Sequence, residues 1–281
     1  MNDKNMRLVR TRTNWLLTGF LLLCSLVVLI PMYLTLTTAL KDRQQSAQSV
    51  WALPTTWHWE NFATAIDKTG FWQALSNSLL LTVVSVVLSI LTNSMIGYAI
   101  ARNMHRKAFK AIYLYLVSAM FVPFSIVMLP LVKEMSWFGL DNLYGLIPIY
   151  VIYNLPFNTL FYVSYMDSIP NSLDESAIID GANTWQTFWK IIFPLMGPAN
   201  ATIGILQTLW VWNDFMLPLV MISKQDQYTI PLTQYMFQST FNTNYNLSFA
   251  SYTMAMIPML IVYIFAQKQI VNGVAAGSVK G

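Results

Sequence analysis

Charged residues are clustered along this chain, and the gaps between the clusters are long. Six stretches contain no Asp, Glu, Lys or Arg: 13–40, 69–101, 111–132, 142–166, 191–213 and 227–267. Because an α-helix rises about 1.5 Å per residue, it needs about 20 apolar residues to cross the hydrocarbon core of a bilayer. The first five stretches reach this length, and the last is strongly apolar from residue 249 to residue 266. The pattern therefore predicts six membrane spans.

The predicted fold class is an all-α integral membrane protein. Lipid offers no hydrogen bonds to the backbone, so a span must be helical or part of a closed barrel, and continuous apolar runs lack the alternation of a barrel. Only 10% of the residues are charged, where about 25% is usual in soluble domains. The predicted transmembrane domain covers residues 15–268. Its six transmembrane helices are expected near 15–38, 73–101, 111–132, 146–166, 195–222 and 250–268.

The distribution of Lys and Arg predicts that both termini are cytoplasmic. With the N-terminus inside, eleven of the sixteen basic residues fall in cytoplasmic segments, as the bias of membrane proteins requires. They are Lys4, Arg7, Arg10, Arg12, Arg102, Arg106, Lys107, Lys110, Lys190, Lys268 and Lys280. Residues 1–14 and the tail 269–281 are then cytoplasmic. The basic clusters lie beside the anionic lipid of the inner leaflet, so the net charge of +4 requires no nucleic-acid partner. The first apolar run is too long for a signal-peptide core, so we expect it to remain as an uncleaved span.

The sequence contains no recognisable catalytic or metal-binding motif. It has no Gly-x4-Gly-Lys-Ser/Thr loop for nucleotide phosphates and no His-Glu-x-x-His pair. The two histidines, His58 and His105, are predicted on opposite sides of the membrane, and Cys24 is the single cysteine. Ionisable groups within a membrane are costly and usually mark a site, and among the acidic and basic residues only Asp214 lies inside a predicted span and not at its last residue. We therefore expect no catalytic residue, no metal site and no cofactor bound by this chain.

The segment 170–194, between the fourth and fifth predicted spans, is predicted to form a cytoplasmic helix–glycine–helix. Ser172 and Glu175 have the spacing of a capping box, in which each side chain satisfies a free N–H group at the helix start. Gly181 is predicted to end this first helix in the left-handed conformation. A second helix should follow, with apolar side chains on one face at helical spacing: Trp185, Phe188, Trp189 and Ile192. The alternatives are that the segment docks to a partner or rests on the membrane surface.

This segment resembles the "EAA" motif of permeases from binding-protein-dependent ABC importers. The matching pattern is Glu-Ser-Ala-x-x-Asp-Gly-Ala at 175–182, followed by Phe193-Pro194. It departs from the family pattern at Ser176, where Ala is usual, and at Phe193, where Leu is usual. In the family, the motif forms coupling helices that sit in a cleft of a cytoplasmic ATPase. The resemblance implies that role for Asp174, Glu175, Ser176, Ala177, Asp180, Gly181, Ala182 and Pro194. The small residues Ser176, Ala177 and Ala182 are expected to be exposed, so that a partner surface can approach closely.

Two further motifs resemble the carbohydrate-uptake, MalG-like branch of that family. The stretch Trp212-Asn213-Asp214-Phe215 resembles a Trp-Asn-Asp/Glu-Phe sequence of these permeases. Its first three residues are expected at the outer mouth of the fifth span, and Asp214 is either a solvated acid or part of the transport pathway. The stretch 267–281 resembles the terminal signature of the branch through Gly273, Gly277 and Lys280. In this branch an outer loop reaches into the docked binding protein, which implies that contact for Gln238, Asn242, Asn244 and Tyr245.

The resemblance implies a permease subunit that translocates a sugar or an oligosaccharide without catalysis of its own. Its implied partners are a homologous second permease, an ATPase dimer that binds ATP and Mg²⁺, and an extracellular solute-binding protein, all at a bacterial plasma membrane. Glycerol phosphate and polyols stay open as substrates. Two other classes also stay open: an integral-membrane enzyme, which needs acids or histidines converging at one depth, and a self-contained channel, which conducts without ATP or partners.

Overall fold

The computed structural model describes residues 15–240 and 244–278, with side chains for 15–235 and 244–267. These ranges contain helices and no strand. The first half forms α1 (Trp15–Ala39), α2 (Arg43–Gln48), α3 (Glu60–Thr69), α4 (Phe71–Arg102), α5 (Lys107–Ser118), α6 (Phe124–Trp137) and α7 (Leu143–Met166). The second half forms α8 (Ser172–Ile179), α9 (Thr184–Thr187), α10 (Phe193–Leu195), α11 (Gly197–Asn213), α12 (Met216–Met221), α13 (Ile230–Thr240) and α14 (Tyr245–Ser278). The predicted all-helical class is confirmed for the described residues.

The helices pack around α4, which lies along α7 and also contacts α11. One face of α4 carries small polar residues that are buried in this packing: Ser78, Thr82, Ser85 and Ser89. Further along the same helix, Gly97 lies so close to α7 that a Cβ atom there would stand 2.4 Å from the Cβ of Tyr162. Small residues of this kind let helix backbones approach each other in a membrane. The small-residue face of α4 is therefore a helix-packing surface.

Four described helices are long and apolar enough to cross a membrane: α1, α4, α7 and Tyr245–Gln267 of α14. A fifth candidate is a pair of helical segments, Lys107–Phe121 and Phe124–Trp137, between which the helix axis bends by 103°. The predicted continuous span at 111–132 is thus broken in the structure. Pro123 explains the break, because proline lacks an N–H donor and disfavours the helical conformation of the residue before it. Val122 is accordingly extended, with φ −88° and ψ 111°.

The predicted span at 195–222 is also divided, and the last predicted span is longer than expected. Helix α11 has 17 residues, and the chain becomes extended at Asp214, where ψ is 126°. The short helix α12 follows this break. Helix α14 has 34 residues and continues past the predicted end at residue 268. Gly273 and Gly277 therefore lie within a helix and not in a separate tail, whereas Lys280 is outside the described residues.

A hydrophobic cluster at the α8 end of the bundle holds the segment 170–194 in place. Its buried members are Tyr98, Tyr162, Met166, Ile169, Phe188, Ile192, Met196, Ala199 and Ile203. They come from α4, α7, α11, the link between α7 and α8, and the chain between α9 and α11, so the cluster joins the segment to the bundle. Each fully buried aliphatic or aromatic side chain contributes about 1.5–3 kcal/mol to such packing. The segment is therefore an integral part of the fold.

Polar contacts tie together the other end of the bundle, where α1 ends and α14 begins. The side-chain amide of Asn246 donates to the carbonyl oxygens of Thr38, at 3.0 Å, and Lys41, at 2.7 Å. Lys41 is buried, and its Nζ donates to the carbonyl oxygens of Ser49 and Val50, both at 3.0 Å. The loss of hydration on burial lowers the pKa of the Lys41 ammonium. The connection after α1 is thus held by hydrogen bonds from two side chains to backbone carbonyl oxygens.

Candidate functional site

The start of α8 differs from the predicted capping box. Asn171 precedes the helix with helical angles (φ −64°, ψ −24°) and makes no side-chain cap, so Ser172 already lies within the helix. Because a capping residue needs extended backbone angles, Ser172 and Glu175 cannot form the box there. A capping box does occur at the start of α9, between Asn183 and Gln186. The prediction of this cap was wrong in position.

The end of α8 is as predicted. Gly181 has φ +84°, in the left-handed region. Its N–H donates to the Ile178 oxygen at 3.0 Å, and the Ala182 N–H donates to the Ala177 oxygen at 2.9 Å. These two bonds form a Schellman motif, which satisfies carbonyl groups that a helix end would leave unpaired. The prediction that Gly181 closes the first helix in this conformation is confirmed.

The second predicted helix is continuous but contains a π-helical turn at Phe188–Ile192, between α9 and α10. In this turn the Phe193 N–H donates to the Phe188 oxygen, five residues earlier. The wider turn changes the register, so the four aromatic and aliphatic residues do not share one face. Phe188 and Ile192 are buried, Trp189 is half-buried and Trp185 is exposed. The turn lies directly before Pro194, whose missing N–H interrupts the normal helical bonding.

An ion pair joins α8 to the end of α4. Arg102 Nη2 lies 2.8 Å from Asp174 Oδ2, and the two side chains are only 15% and 14% exposed. The Tyr98 hydroxyl donates to Asp174 Oδ1 at 2.6 Å. Arg102 Nη1 donates to the Ile169 oxygen at 3.1 Å and to the side chain of Asn171. We call these five residues the α4–α8 latch.

The latch changes the role expected for Asp174. Sequence resemblance implies that it belongs to the surface that meets the ATPase, yet its carboxylate points into its own chain, onto Arg102 and Tyr98. The sequence did not single out the basic partner, because Arg102 and Asn171 are 69 residues apart and come together only when α4 and α7 pack. Arg102 at the end of a long apolar span was the one available signal, and it served only to predict orientation.

The opposite face of the helix–glycine–helix is exposed. Ile179 is 85% exposed, and Ile178 and Trp185 are also exposed large apolar side chains. Of the predicted contact residues, the exposed ones are Glu175, Ser176, Asp180, Gly181 and Pro194. Ala177 is buried, contrary to prediction, because it lies on the side of α8 that faces the bundle, and Ala182 is half-buried. The segment therefore has a fixed face and a free face.

The three residues predicted at an outer mouth have different surroundings. Trp212 is buried in a cluster with Ile230 and Met254, so it is a packing residue and not an exposed pathway residue. Asn213 is exposed, and its amide donates to the Leu209 oxygen of its own helix at 2.7 Å. Trp212 is thus buried, whereas Asn213 is exposed and Asp214 is half-buried, and the outer-mouth role stays a prediction.

Asp214 lies at the break between α11 and α12. Its Oδ2 accepts a hydrogen bond from the Tyr150 hydroxyl at 2.9 Å, and its Oδ1 accepts one from the Met216 N–H at 3.0 Å. It also lines a cavity of about 290 Å³ together with Tyr153 and Trp210. A carboxylate with these bonds is held in place, beside a cavity of a size that water or a small polar group can enter. The geometry agrees with both alternatives for this residue.

The predicted binding-protein loop is largely helical. Gln238 lies in α13, with its side chain outside the described residues, and Asn242 also lies outside them. Asn244 is half-buried directly before α14, and Tyr245 is exposed at the first residue of that helix. Between the predicted spans that end at 222 and begin at 250, the described residues thus include α13 and the start of α14.

Comparison with known proteins decides the family. The family described as "Binding-protein-dependent transport system inner membrane component" matches residues 93–275, a range that includes both ends of the latch and the whole helix–glycine–helix. The chain belongs to this family. It is therefore a transport subunit and not an enzyme, and it is a multi-pass membrane permease.

Similar proteins cover this permease nearly from end to end. The multiple sugar-binding transport system permease protein MsmG of Streptococcus mutans is 40% identical over 261 residues, which cover 91% of this chain and 93% of that one. The probable starch degradation products transport system permease protein AmyC of Thermoanaerobacterium thermosulfurigenes is 34% identical, with coverage of 95% and 97%. A crystal structure of a bacterial ABC transporter involved in the import of the acidic polysaccharide alginate superposes with a TM-score of 0.74 at 26% identity, covering 91% of this chain and 94% of that one.

Proposed function

We propose that this permease carries a sugar or an oligosaccharide across the bacterial plasma membrane after an extracellular solute-binding protein has delivered it. The similar permeases are named for transport of multiple sugars and of starch degradation products, and the similar structure imports a polysaccharide. These likenesses span nearly the whole chain, including the helices on either side of the helix–glycine–helix. They support a carbohydrate substrate over glycerol phosphate or a simple polyol.

The division of the helix–glycine–helix into a fixed face and a free face carries the proposal of how transport is driven. Phe188 and Ile192 are buried in the bundle, and the α4–α8 latch holds α8 against α4. Ile178 and Ile179 are exposed, and covering each would contribute about 1.5–3 kcal/mol. We infer that they enter a recess of a partner ATPase dimer. That partner binds ATP and Mg²⁺, and its closure moves α8 and the helices attached to it.

The proposed topology has six spans with both termini in the cytoplasm. The four long helices α1, α4, α7 and α14 each form one span. The bent pair of α5 and α6 forms a fifth span, and α11 together with α12 forms the sixth. The latch and the Lys and Arg excess then lie on the cytoplasmic side. A homologous second permease is proposed to complete the pathway, as the resemblance to the family implies.

The outer side of the permease is proposed to meet the binding protein. Asn244 and Tyr245 lie where α1, α2 and α14 come together, and Asn246 fixes that junction. A surface of amide and phenol groups can form hydrogen bonds to a docked protein with little loss of charge hydration. Gln238 and Asn242, from the same stretch, belong to the same proposed surface.

The coupling role is tested by Gly181→Val. The substitution forces a β-branched residue into the left-handed region, at a cost of about 1–3 kcal/mol, although no described atom beyond the two neighbouring residues lies within 4 Å of the new Cβ. This cost corresponds to ATPase docking weakened about 5- to 150-fold. We expect the variant to insert and to pair with the second permease, but to lose ATPase on purification or to hydrolyse ATP without uptake.

Gly19→Val is the matched control, since Gly19 is exposed within α1, has no positive φ and also has open space around its Cβ position. Purified complexes are compared for ATPase retention and for uptake of labelled sugar into vesicles. Normal retention and coupled uptake in Gly181→Val would overturn the coupling role. The substrate class is tested in the same vesicles with sugars, glycerol phosphate and polyols. Uptake restricted to the last two, or uptake without ATP, would contradict the proposed function.

A further inference from the structure

One cavity lies between three elements of the membrane-spanning region. It has a volume of about 640 Å³, and its walls come from the break after α5, the middle of α7 and the middle of α11. Small-molecule sites in proteins are mostly apolar clefts of about 300–1,000 Å³ with a few convergent polar groups. This cavity has that character, since Asn154 and Gln207 are placed among aliphatic and aromatic side chains.

A flat aromatic surface forms one wall. The rings of Tyr153 and Trp210 are stacked, with centroids 5.7 Å apart and planes within 3° of each other. Tyr150 meets Trp210 edge-on, and Phe124 meets Tyr153 edge-on. These edge contacts hold the two stacked rings in parallel planes, and both residues keep more than a third of their surface exposed. The aromatic wall is therefore rigid and partly uncovered.

Unsatisfied polar groups lie beside this wall. Gln207, one turn before Trp210 on α11, is 3% exposed, and neither its amide oxygen nor its amide nitrogen has a hydrogen-bond partner among the described residues. Burial of an unpaired amide is costly, and the cost is greatest where lipid excludes water. The side-chain amide of Asn154 donates a hydrogen bond to the backbone carbonyl oxygen of Tyr150. Asp214, one turn beyond Trp210, lines a second cavity that shares Tyr153 and Trp210 with the first.

We propose that this cavity is a sugar-ring subsite that this chain itself contributes to the transport pathway. The proposal rests on the proposed function, and it adds a contact between this subunit and the substrate. A pyranose ring has apolar C–H faces and a polar rim of hydroxyl groups. One C–H face would lie on the Tyr153–Trp210 wall, and the hydroxyl rim would supply the missing hydrogen bonds of Gln207. Asp214 would accept bonds from hydroxyls that extend into the second cavity.

The wall is tested in the assembled transporter with Trp210→Ala and Trp210→Phe. Loss of a stacking face should lower sugar uptake per ATP hydrolysed about tenfold in Trp210→Ala, whereas Trp210→Phe keeps a flat ring and should keep at least about half of the uptake. ATP hydrolysis stimulated by the loaded binding protein should stay normal in both. Trp137→Ala is the matched control, because Trp137 is an exposed, stacked tryptophan outside the cavity and should behave as wild type.

The polar groups are tested with Gln207→Leu, which fills a similar volume and removes the amide. We expect uptake to fall for sugars and the relative rates of different sugars to change, because the variant has lost a hydroxyl contact. Wild-type uptake and sugar preference in both Trp210→Ala and Gln207→Leu would overturn the subsite and leave the proposed function intact. Loss of the second permease from the Trp210→Ala complex would also overturn it, by making the cavity a subunit contact. Failure of sugar uptake by wild type would instead refute the proposed function.

Discussion

Replacing Arg102 by Met tests the α4–α8 latch. The substitution removes the cation and keeps most of the apolar length of the side chain. Asp174 then loses its ion-pair partner and keeps the hydrogen bond from Tyr98, while Ile169 and Asn171 lose their contacts with Arg102. The buried carboxylate that remains is the main source of the expected effect.

The magnitude follows from the burial of the pair. Removing one partner of a buried ion pair costs about 3–5 kcal/mol, because a charge stays buried and unpaired. With side chains 15% and 14% exposed, Arg102 and Asp174 retain some hydration, so we take the lower value of about 3 kcal/mol. At 1.4 kcal/mol per factor of ten, the equilibrium that holds α8 against α4 should weaken about 100-fold. The helices would still insert, because the hydrophobic cluster beneath the segment is unchanged.

Amide hydrogen exchange in the purified complex measures the equilibrium that holds α8 against α4. The N–H groups of Asp180 and Ala182, which are bonded within α8 and its Schellman turn, should exchange about 100-fold faster in Arg102→Met, and ATPase retention should fall with them. Arg106→Met is the control, because Arg106 is exposed at the start of α5. Unchanged exchange with full ATPase retention in Arg102→Met would refute the latch. So would a double variant with Asp174→Leu that is no better than the single one, since removal of both charges should restore much of the loss.

Two further predictions concern packing and topology. Gly97→Ala should separate α4 from α7 and lower the yield and melting temperature of the purified complex. Gly204→Ala should be tolerated, because the nearest atom to its new Cβ is the end of a flexible side chain, Ile90 Cδ1, at 3.3 Å. Equal stability of the two variants would contradict the close approach of α4 and α7. For topology, cysteines at Ala47 and Lys107 in a Cys24→Ser chain should label differently with a membrane-impermeant thiol reagent in intact cells. Labelling at the first position alone supports cytoplasmic termini, and labelling at the second alone would reverse them.

Much of the architecture follows from residues that are close in sequence. The charge-free runs predict helical spans because lipid cannot satisfy backbone hydrogen bonds. Gly181 is predictable because only glycine adopts a left-handed helix end without strain. The sequence predicted a continuous span at 111–132 in spite of Pro123, because prolines also occur within continuous membrane helices, as Pro31 does in α1. Local signals therefore indicate where a helix can bend, and packing decides whether it does.

The capping error has a similar cause. Ser172 and Glu175 have the correct residue types and spacing, but the helix begins at Ser172 itself, so Ser172 has helical angles and cannot cap. A capping box depends on which residue is first in the helix, and in α8 that residue is Ser172, preceded by Asn171 with helical angles. The same spacing at Asn183 and Gln186 does form the box, because Gly181 has already ended the previous helix.

By itself, the sequence determined the helical class, most of the helix positions, the left-handed turn at Gly181 and the family motif, because each depends on neighbouring residues or on the solvent that surrounds them. Only the tertiary structure decided that Asp174 is bound to Arg102, that Trp212 is buried and that Trp210 and Gln207 line one cavity. These relations join residues far apart along the chain, such as Tyr98 and Asp174, which are separated by 76 positions. They arise when helices pack against one another, and packing is the property that local sequence does not specify.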